Sequence, residues 1–205
     1  GTARDGAFDA IPTREGWSTP WGGPPDTRSI ALADETPFVG VHVGGVWRRD
    51  DGGWVEVVPA EADDHQVACA SDVVAVAAGI GVGQSDDRGE SWRWSDDGLH
   101  GRYCRSVAVA DDWLLAGAST GPATTEAAVY RRPLADAEAP FERCGDDALP
   151  HAFPRNIDTG ELTTAGPLAA VGTPSGELFL PEDSGASWRR LATALPGGHC
   201  LAFAG

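Results

Sequence analysis

Short apolar runs, separated by Gly, Pro, Asp and Ser, recur along this chain without a helical period. Four share one pattern: Ile30-Ala31-Leu32-Ala33, Val67-Ala68-Cys69-Ala70, Val107-Ala108-Val109-Ala110 and Leu162-Thr163-Thr164-Ala165. Leu201-Ala202-Phe203-Ala204 repeats it at the C-terminus. A second apolar run follows each of the four, at 38–41, 73–77, 113–116 and 168–171. A glycine-containing turn then leads to a third run, at 45–48, 82–85, 128–131 and 177–180. A fourth begins near Trp54, Trp92, Phe141 and Trp188. Runs of this length between turn residues predict β-strands. Each repeat therefore reads as four strands, A to D, with the small residues of strand A where several repeats converge on an axis. The last positions lie roughly 38 to 49 residues apart, the period of four-stranded sheets set radially around a channel.

The turns between strands C and D sharpen this. In the second repeat the turn reads Ser85-Asp86-Asp87-Arg88-Gly89-Glu90-Ser91-Trp92, and in the fourth Pro181-Glu182-Asp183-Ser184-Gly185-Ala186-Ser187-Trp188. Asp and Ser side chains accept backbone N–H bonds and close a tight loop. Glycine takes the positive φ that a Cβ would resist, and the Trp wedges between sheets. The form S-x-D-x-G-x-[ST]-W resembles the Asp-box, or BNR repeat, of sialidase-like β-propellers. Ser85, Asp87, Gly89, Trp92, Asp183, Gly185 and Trp188 are the structural residues that the resemblance implies. Asp50-Asp51-Gly52-Gly53 and residues 135–140 are degenerate versions. Nearly the whole chain resembles bacterial and archaeal WD40/YVTN/BNR-like repeat proteins, some described as glycosyl hydrolases. The resemblance implies a propeller; the hydrolase description is itself an inference from the repeat.

The expected fold is an all-β, five-bladed β-propeller of four-stranded antiparallel blades in one domain, residues 1–205. Four blades cover about 28–62, 63–100, 101–154 and 155–196. Residues 1–9 match 172–180 in pattern, so the chain is expected to start at the end of a strand B and to run through C and D to Trp17 and Trp21. With strand A from 197–205 these would make a closing blade, 197–205 plus 1–25, leaving the ring no free edge. That composite lacks most of a strand B, so terminal residues are expected to be missing; a larger ring is the alternative.

The composition suits many short strands joined by turns: 41% hydrophobic, with Gly 27 and Pro 15. A net charge of −16, with every basic residue an arginine, argues against nucleic acid and anionic membranes as partners. No apolar run approaches a bilayer span and no signal peptide is visible. A cytoplasmic location is expected, although the chain starts at Gly1 without a methionine. Cys69, Cys104, Cys144 and Cys200 form no C-x-x-C pair, so reduced buried thiols are the default.

Candidate chemistry collects on one face. In a meander, A–B and C–D turns share a face, and B–C and D–A loops share the other. Two residues before the apolar start of each strand A stand Arg28, His65, Arg105, Gly160 and His199. Asp26, Gln66, Tyr103, Cys104, Asp158, Glu161 and Cys200 surround them, and His100 lies in a neighbouring D–A loop. Three readings follow. Arg28, His65, Arg105, His199 and His100 could bind an anion or polar small molecule, since guanidinium forks suit carboxylate and phosphate. His65 and His199, with His100 or Cys200, could hold a metal, but their spacing matches no zinc signature, so no metal and no cofactor is assigned. Or the polar groups pair with one another and only rigidify the ring. His42 reads as a structural strand residue. The long B–C loop at 119–126 and D–A loop at 145–155 fall on the same face and could form a rim.

Arg28, Arg105, Tyr103, Glu161 and Asp158 have the chemistry of a sialidase site, but not the order and spacing of that family. A glycosidase also needs two carboxylates at a defined separation. No G-x-S-x-G, P-loop or H-E-x-x-H element is present. The expected function is non-catalytic binding of a small molecule, glycan or protein at the channel mouth opposite the Asp-box turns. The alternative is a glycoside hydrolase or sialidase-like enzyme on an anionic sugar, with Asp158, Glu161 and Tyr103 catalytic.

Overall fold

The computed structural model of the chain describes residues 5–145, 148–181, 185–196 and 200–203. It contains four antiparallel sheets, each a four-stranded meander. Sheet I holds β1 (Thr27–Ala33), β2 (Thr36–Val41), β3 (Gly45–Asp50) and β4 (Gly53–Val58). Sheet II holds β5 (Asp64–Ala70), β6 (Val73–Ala78), β7 (Gly81–Ser85) and β8 (Arg93–Ser95). Sheet III holds β9 (Tyr103–Ala110), β10 (Trp113–Ser119), β11 (Ala128–Pro133) and β12 (Glu142–Arg143). Sheet IV holds β13 (Leu162–Ala165), β14 (Leu168–Gly172), β15 (Leu178–Pro181) and β16 (Trp188–Ala192). The expected strands A to D of the four internal repeats all fall on these elements. The first hairpin of each sheet turns in the same way: Asp34, Ser71, Asp111 and Gly166 open the tip with φ of 50°, 51°, 45° and 56°. Asp and Gly tolerate this left-handed region, which suits the twist of a tight hairpin.

The second strands of sheets II and III are apolar on both faces because they are covered on both faces. In β6, Val74, Val76 and Ala78 pack with Phe38, Val46 and Val58 of sheet I. Ala75 and Ala77 pack with Val107, Leu114 and Tyr130 of sheet III. In β10, Leu115 turns instead to Leu162, Val171, Phe179 and Trp188 of sheet IV. The alternation of side chains along a strand thus builds one apolar layer between each successive pair of sheets.

The turn at 85–92 closes as its residues require. The Ser85 hydroxyl donates to Asp87 (2.8 Å) and accepts from the Gly89 N–H (2.7 Å). Asp87 accepts from the Ser91 N–H (2.8 Å) and hydroxyl (2.6 Å). Gly89 has φ 84°, and a Cβ there would lie 3.2 Å from Phe38 of sheet I. Trp92 packs into the layer between sheets I and II, and Trp188 into that between III and IV, where its indole N–H donates to the Gly185 carbonyl (3.0 Å). Asp183 lies outside the described residues. From this turn Arg88 reaches Asp34 (2.6 Å) and Asp72 (2.5 Å), so the A–B and C–D turns do share a face.

The Ser91 hydroxyl, the Ser91 N–H and the Ser85 hydroxyl together hold the Asp87 carboxyl down to about 2. Its contribution is therefore present above the usual carboxylate range and lost as pH falls through about 2. Asp87→Ala is expected to cost about 1–2 kcal/mol in urea unfolding at neutral pH. A change below about 0.3 kcal/mol would show that the turn closes without it.

The terminal segments correct the expected composite blade. Among the described residues, 5–26 form no strand: α1 (Gly6–Asp9) and a 3-10 turn (Pro12–Gly16) replace the expected strands C and D. The Asp5 carboxylate caps α1 by accepting from the Ala7 N–H (2.9 Å), and prolines at 12, 20, 24 and 25 deny ladder donors. Ile11 and Trp17, with Phe8, pack on the outer face of sheet I against Val39, Val41 and Trp47. Residues 200–203 form no strand either; Leu201 lies against Gly172 and donates its N–H to the Gly160 carbonyl (2.8 Å). Ile30 and Leu32 on sheet I and Leu168 and Leu191 on sheet IV remain exposed. All four cysteines are free. Burial pushes the thiols of Cys69, Cys104 and Cys144 up to about 12, leaving them inert, whereas Cys200 is exposed rather than buried. Among the described residues no helix is long and apolar enough to cross a membrane.

Candidate functional site

Three of the inner strands carry a β-bulge near their start, and the bulged residues are those singled out by the repeat alignment. Pairing passes from Thr27 to Ser29 over Arg28, from Asp64 to Gln66 over His65, and from Cys104 to Ser106 over Arg105. A bulge re-aims one side chain without disturbing the ladder beyond it. Before β13 the equivalent position is Gly160, with φ 81°. The loop that holds it crosses to the other strands. The Thr159 hydroxyl donates to the carbonyls of His65 (3.0 Å) and Arg105 (3.3 Å), and the Gly160 N–H donates to Gln66 (3.3 Å). Arg28, His65, Arg105 and Asp158 therefore meet at the bulged end of the inner strands. His199, the fifth aligned position, lies outside the described residues.

The charged groups there are largely engaged with one another. Asp158 accepts from Arg105 (2.8 Å) and Arg155 (3.2 Å), with Arg28 at 3.9 Å. Arg155 also pairs with Glu161, which accepts from the Asp158 N–H (2.8 Å). Burial raises the Glu161 carboxyl above its usual range. A second chain of bonds has a fixed direction. His65 Nδ1 faces the Cys104 carbonyl at 2.8 Å, which can only accept, so Nδ1 carries the proton. His65 Nε2 then accepts from the Tyr103 hydroxyl (3.1 Å), which in turn accepts from Arg105 (3.3 Å). Burial holds His65 down to about 4 and also lowers His42, so both imidazoles are neutral at neutral pH. His100 is not part of this group. It stacks on Tyr130, accepts from the Tyr130 hydroxyl at Nδ1 (2.7 Å) and donates from Nε2 to the Glu126 carbonyl (2.7 Å).

The two long loops dock on one another as a rim. Ala127 and Phe153 form a two-bond bridge (3.0 and 2.7 Å). The buried Asn156 accepts from Ser119 (2.5 Å) and donates to the carbonyls of Gly121 and Pro122. Beside this rim lies a cavity of about 360 Å³, between residues 150–157 and the 172–177 turn joining β14 to β15. Phe153, Pro154, Ile157 and Pro174 make its apolar walls; Arg155 and Glu161 stand at its polar end. A depression of about 500 Å³ on the outer face of sheet I, lined by Phe8, Ile30 and Trp54, is shallow and open to solvent. The more sheltered cavity has the better recognition chemistry, an apolar body with a few convergent polar groups. The strand alignment missed Phe153, Pro154 and Pro174; the one signal for the first two was the length and proline content of the 145–155 loop, and nothing marked Pro174.

No protein-family model matches the chain, and no curated sequence is significantly similar to it. Solved structures are similar in fold. The computationally designed Ika4 protein superposes with TM-score 0.53 at 11% identity, over 78% of this chain and 92% of that one. An ancestral GH74 enzyme gives 0.58 at 12% identity, over 81% of this chain but 24% of the enzyme. The WD40 domain of Neurospora crassa Pan2 gives 0.55 at 14%, over 84% of this chain and 54% of that one. The four four-stranded meanders and these likenesses define a β-propeller with a WD40-like fold. At such identities the likeness extends to fold alone, and function has to be sought in the site.

Proposed function

We propose that this protein is a non-catalytic binding propeller whose ligand is received at the channel mouth, on the face opposite the 85–92 turn. On this reading the 85–92 and 181–188 turns are Asp-boxes that fasten the blades. The expected closing blade, 197–205 plus 1–25, is kept as a fifth blade position without its expected strands; among the described residues, Trp17 packing on sheet I and Leu201 on sheet IV support that count. The ligand is a small molecule or peptide end that joins a carboxylate to an apolar group. The apolar part enters the 360 Å³ cavity, and the carboxylate exchanges with Asp158 or Glu161 on Arg155, with Arg105, Arg28 and His65 behind it. The cavity adjoining a shared guanidinium carries this reading. No specific observation favours the glycosidase alternative, because Arg155 engages both of its candidate carboxylates.

The minimal probe is 3-phenylpropanoate, titrated calorimetrically into protein stripped of metal over a chelating resin. Saturable binding is expected for the wild type. Arg155→Ala should weaken it at least about tenfold, the effect of losing one charge-assisted pair. The uncharged 3-phenylpropan-1-ol should bind much more weakly. Equal binding of acid and alcohol, or wild-type affinity in Arg155→Ala, would remove the carboxylate site.

A further inference from the structure

His42, read from the sequence as structural, stands at the mouth with two other metal-ligating residues. It follows β2 at the start of the loop to β3, while Asp63 and His65 flank the start of β5 in the next sheet. One ligand atom from each of the three lies within 4.8 Å of the other two. His65 Nε2 is 3.6 Å from Asp63 Oδ2. Tetrahedral zinc with bonds of about 2.0–2.1 Å places its ligand atoms roughly 3.3 Å apart, so this pair needs only a small contraction to share an ion. We propose that His42, Asp63 and His65 form a binding site for a first-row divalent cation of the zinc or cobalt(II) type.

Three observations support a ligand there rather than a packed polar corner. His42 is 5% exposed, yet among the described residues its Nδ1 has no hydrogen-bond partner; Asp26 is 3.9 Å away. An unpartnered polar atom at that depth calls for an explanation such as an ion. His65 already carries the outer support of a metal ligand: its Nδ1–H is spent on the Cys104 carbonyl, and its Nε2, 3.6 Å from Asp63, would exchange the hydrogen bond it accepts from the Tyr103 hydroxyl for the cation. Asp63 adopts φ 57° and ψ 59°, and its carboxylate occupies the space beside Gly79 where a Cβ would lie 2.8 Å from Oδ2. Two imidazoles and one carboxylate form a nitrogen-rich set, which selects zinc, cobalt or nickel over magnesium or calcium. Arg28 and Arg105 oppose a cation here, but both are already drawn toward Asp158, and Asp26 adds a further negative charge. The Tyr103 hydroxyl, 3.1 Å from His65 Nε2, borders the remaining coordination position. This site goes beyond the carboxylate-binding reading and does not depend on it.

The test is calorimetric titration of Zn(II) into resin-treated protein, with excess Mg(II) to occupy surface carboxylates, and a parallel Co(II) titration read by visible absorption. The expected result is uptake of one equivalent, with a Co(II) spectrum showing nitrogen ligation. Asp63→Asn keeps a residue that tolerates the left-handed backbone, and it is expected to weaken Zn(II) binding at least about tenfold. His42→Asn, on the other sheet, should do the same, and far-UV circular dichroism checks that both variants fold. The absence of a stoichiometric site, or wild-type affinity in both variants, would overturn the proposal. Binding of 3-phenylpropanoate is measured without metal, so either site can fail while the other stands.

Discussion

In metal-free protein, Asp64→Asn is expected to turn a nearly flat stability profile between about pH 4 and 6.5 into one that rises steeply with pH. Asp64 is wholly buried at the junction of sheets I and II, and neither carboxylate oxygen has a partner among the described residues. Burial, and then the charge of Asp63, raise its carboxyl to about 7, against smaller lowering effects from its own backbone N–H, Arg28 and the Gly45 backbone N–H. Below about pH 3.8 both folded and unfolded states hold the proton, and the full contribution is present. As pH rises the unfolded state releases it first, so stability falls until the folded pKa of about 7 is passed. The gap is worth on the order of a few kcal/mol. His65, its neighbour on β5, makes the opposite demand. Burial depresses it from 6.5 to about 4, so stability is lost as pH falls through that window. The two slopes oppose each other in the native chain. Asp64→Asn should expose the His65 slope, and His65→Gln the falling Asp64 slope. Urea unfolding across the window checks both; parallel profiles for all three proteins would refute the assignment.

Arg132→Ala is expected to destabilise the protein by about 3 kcal/mol, because it removes both a large buried volume and two charge-assisted bonds. Arg132 on β11 is completely buried. It donates to the Ala137 carbonyl (2.6 Å) and to Gln84 of sheet II (2.8 Å), and its guanidinium lies 4.7 Å from the Phe141 ring centre. Gln84 in turn donates to the Leu134 carbonyl (2.9 Å) and Asp86 (2.8 Å), so the cluster ties sheet II to sheet III. Lysine presents a point charge that cannot span both acceptors, so Arg132→Lys should recover little. Arg132→Met restores volume without the charge and should recover more than half, because an apolar residue of similar size avoids desolvating an ion. Urea unfolding of the three variants separates these contributions. If alanine and wild type agreed to within about 1 kcal/mol, the buried guanidinium would not be holding the two sheets together.

The four internal repeats were legible because each blade repeats the same physical problem. A strand packed on both faces must be apolar, as 73–77 is, and a tight C–D turn must carry its own acceptors, as Ser85 and Asp87 do. Arg28, His65 and Arg105 could be aligned because each occupies the same bulge. The terminal segments were misread because the pattern match of residues 1–9 to 172–180 ignored what a strand needs beside it. Without a strand B to pair with, and with prolines in the way, the segment caps a helical turn and buries Phe8, Ile11 and Trp17 on sheet I. His42 escaped notice because its counterparts after β6, β10 and β14 are Gly79, Thr120 and Thr173, so no repeat marks it as chemical. The cavity escaped because it is made by two loops of unlike length, whose juxtaposition is set by the Ala127–Phe153 bridge rather than by any period.

On the proposed reading, ligand is met on the face opposite the 85–92 turn. Amide chemical-shift mapping of metal-free protein titrated with 3-phenylpropanoate tests it most directly. Saturable shifts are expected, confined to residues 103–105, 153–161 and 172–177, with the signals of 85–92 unmoved. Shifts centred on 85–92, or spread evenly over the four sheets, would contradict it.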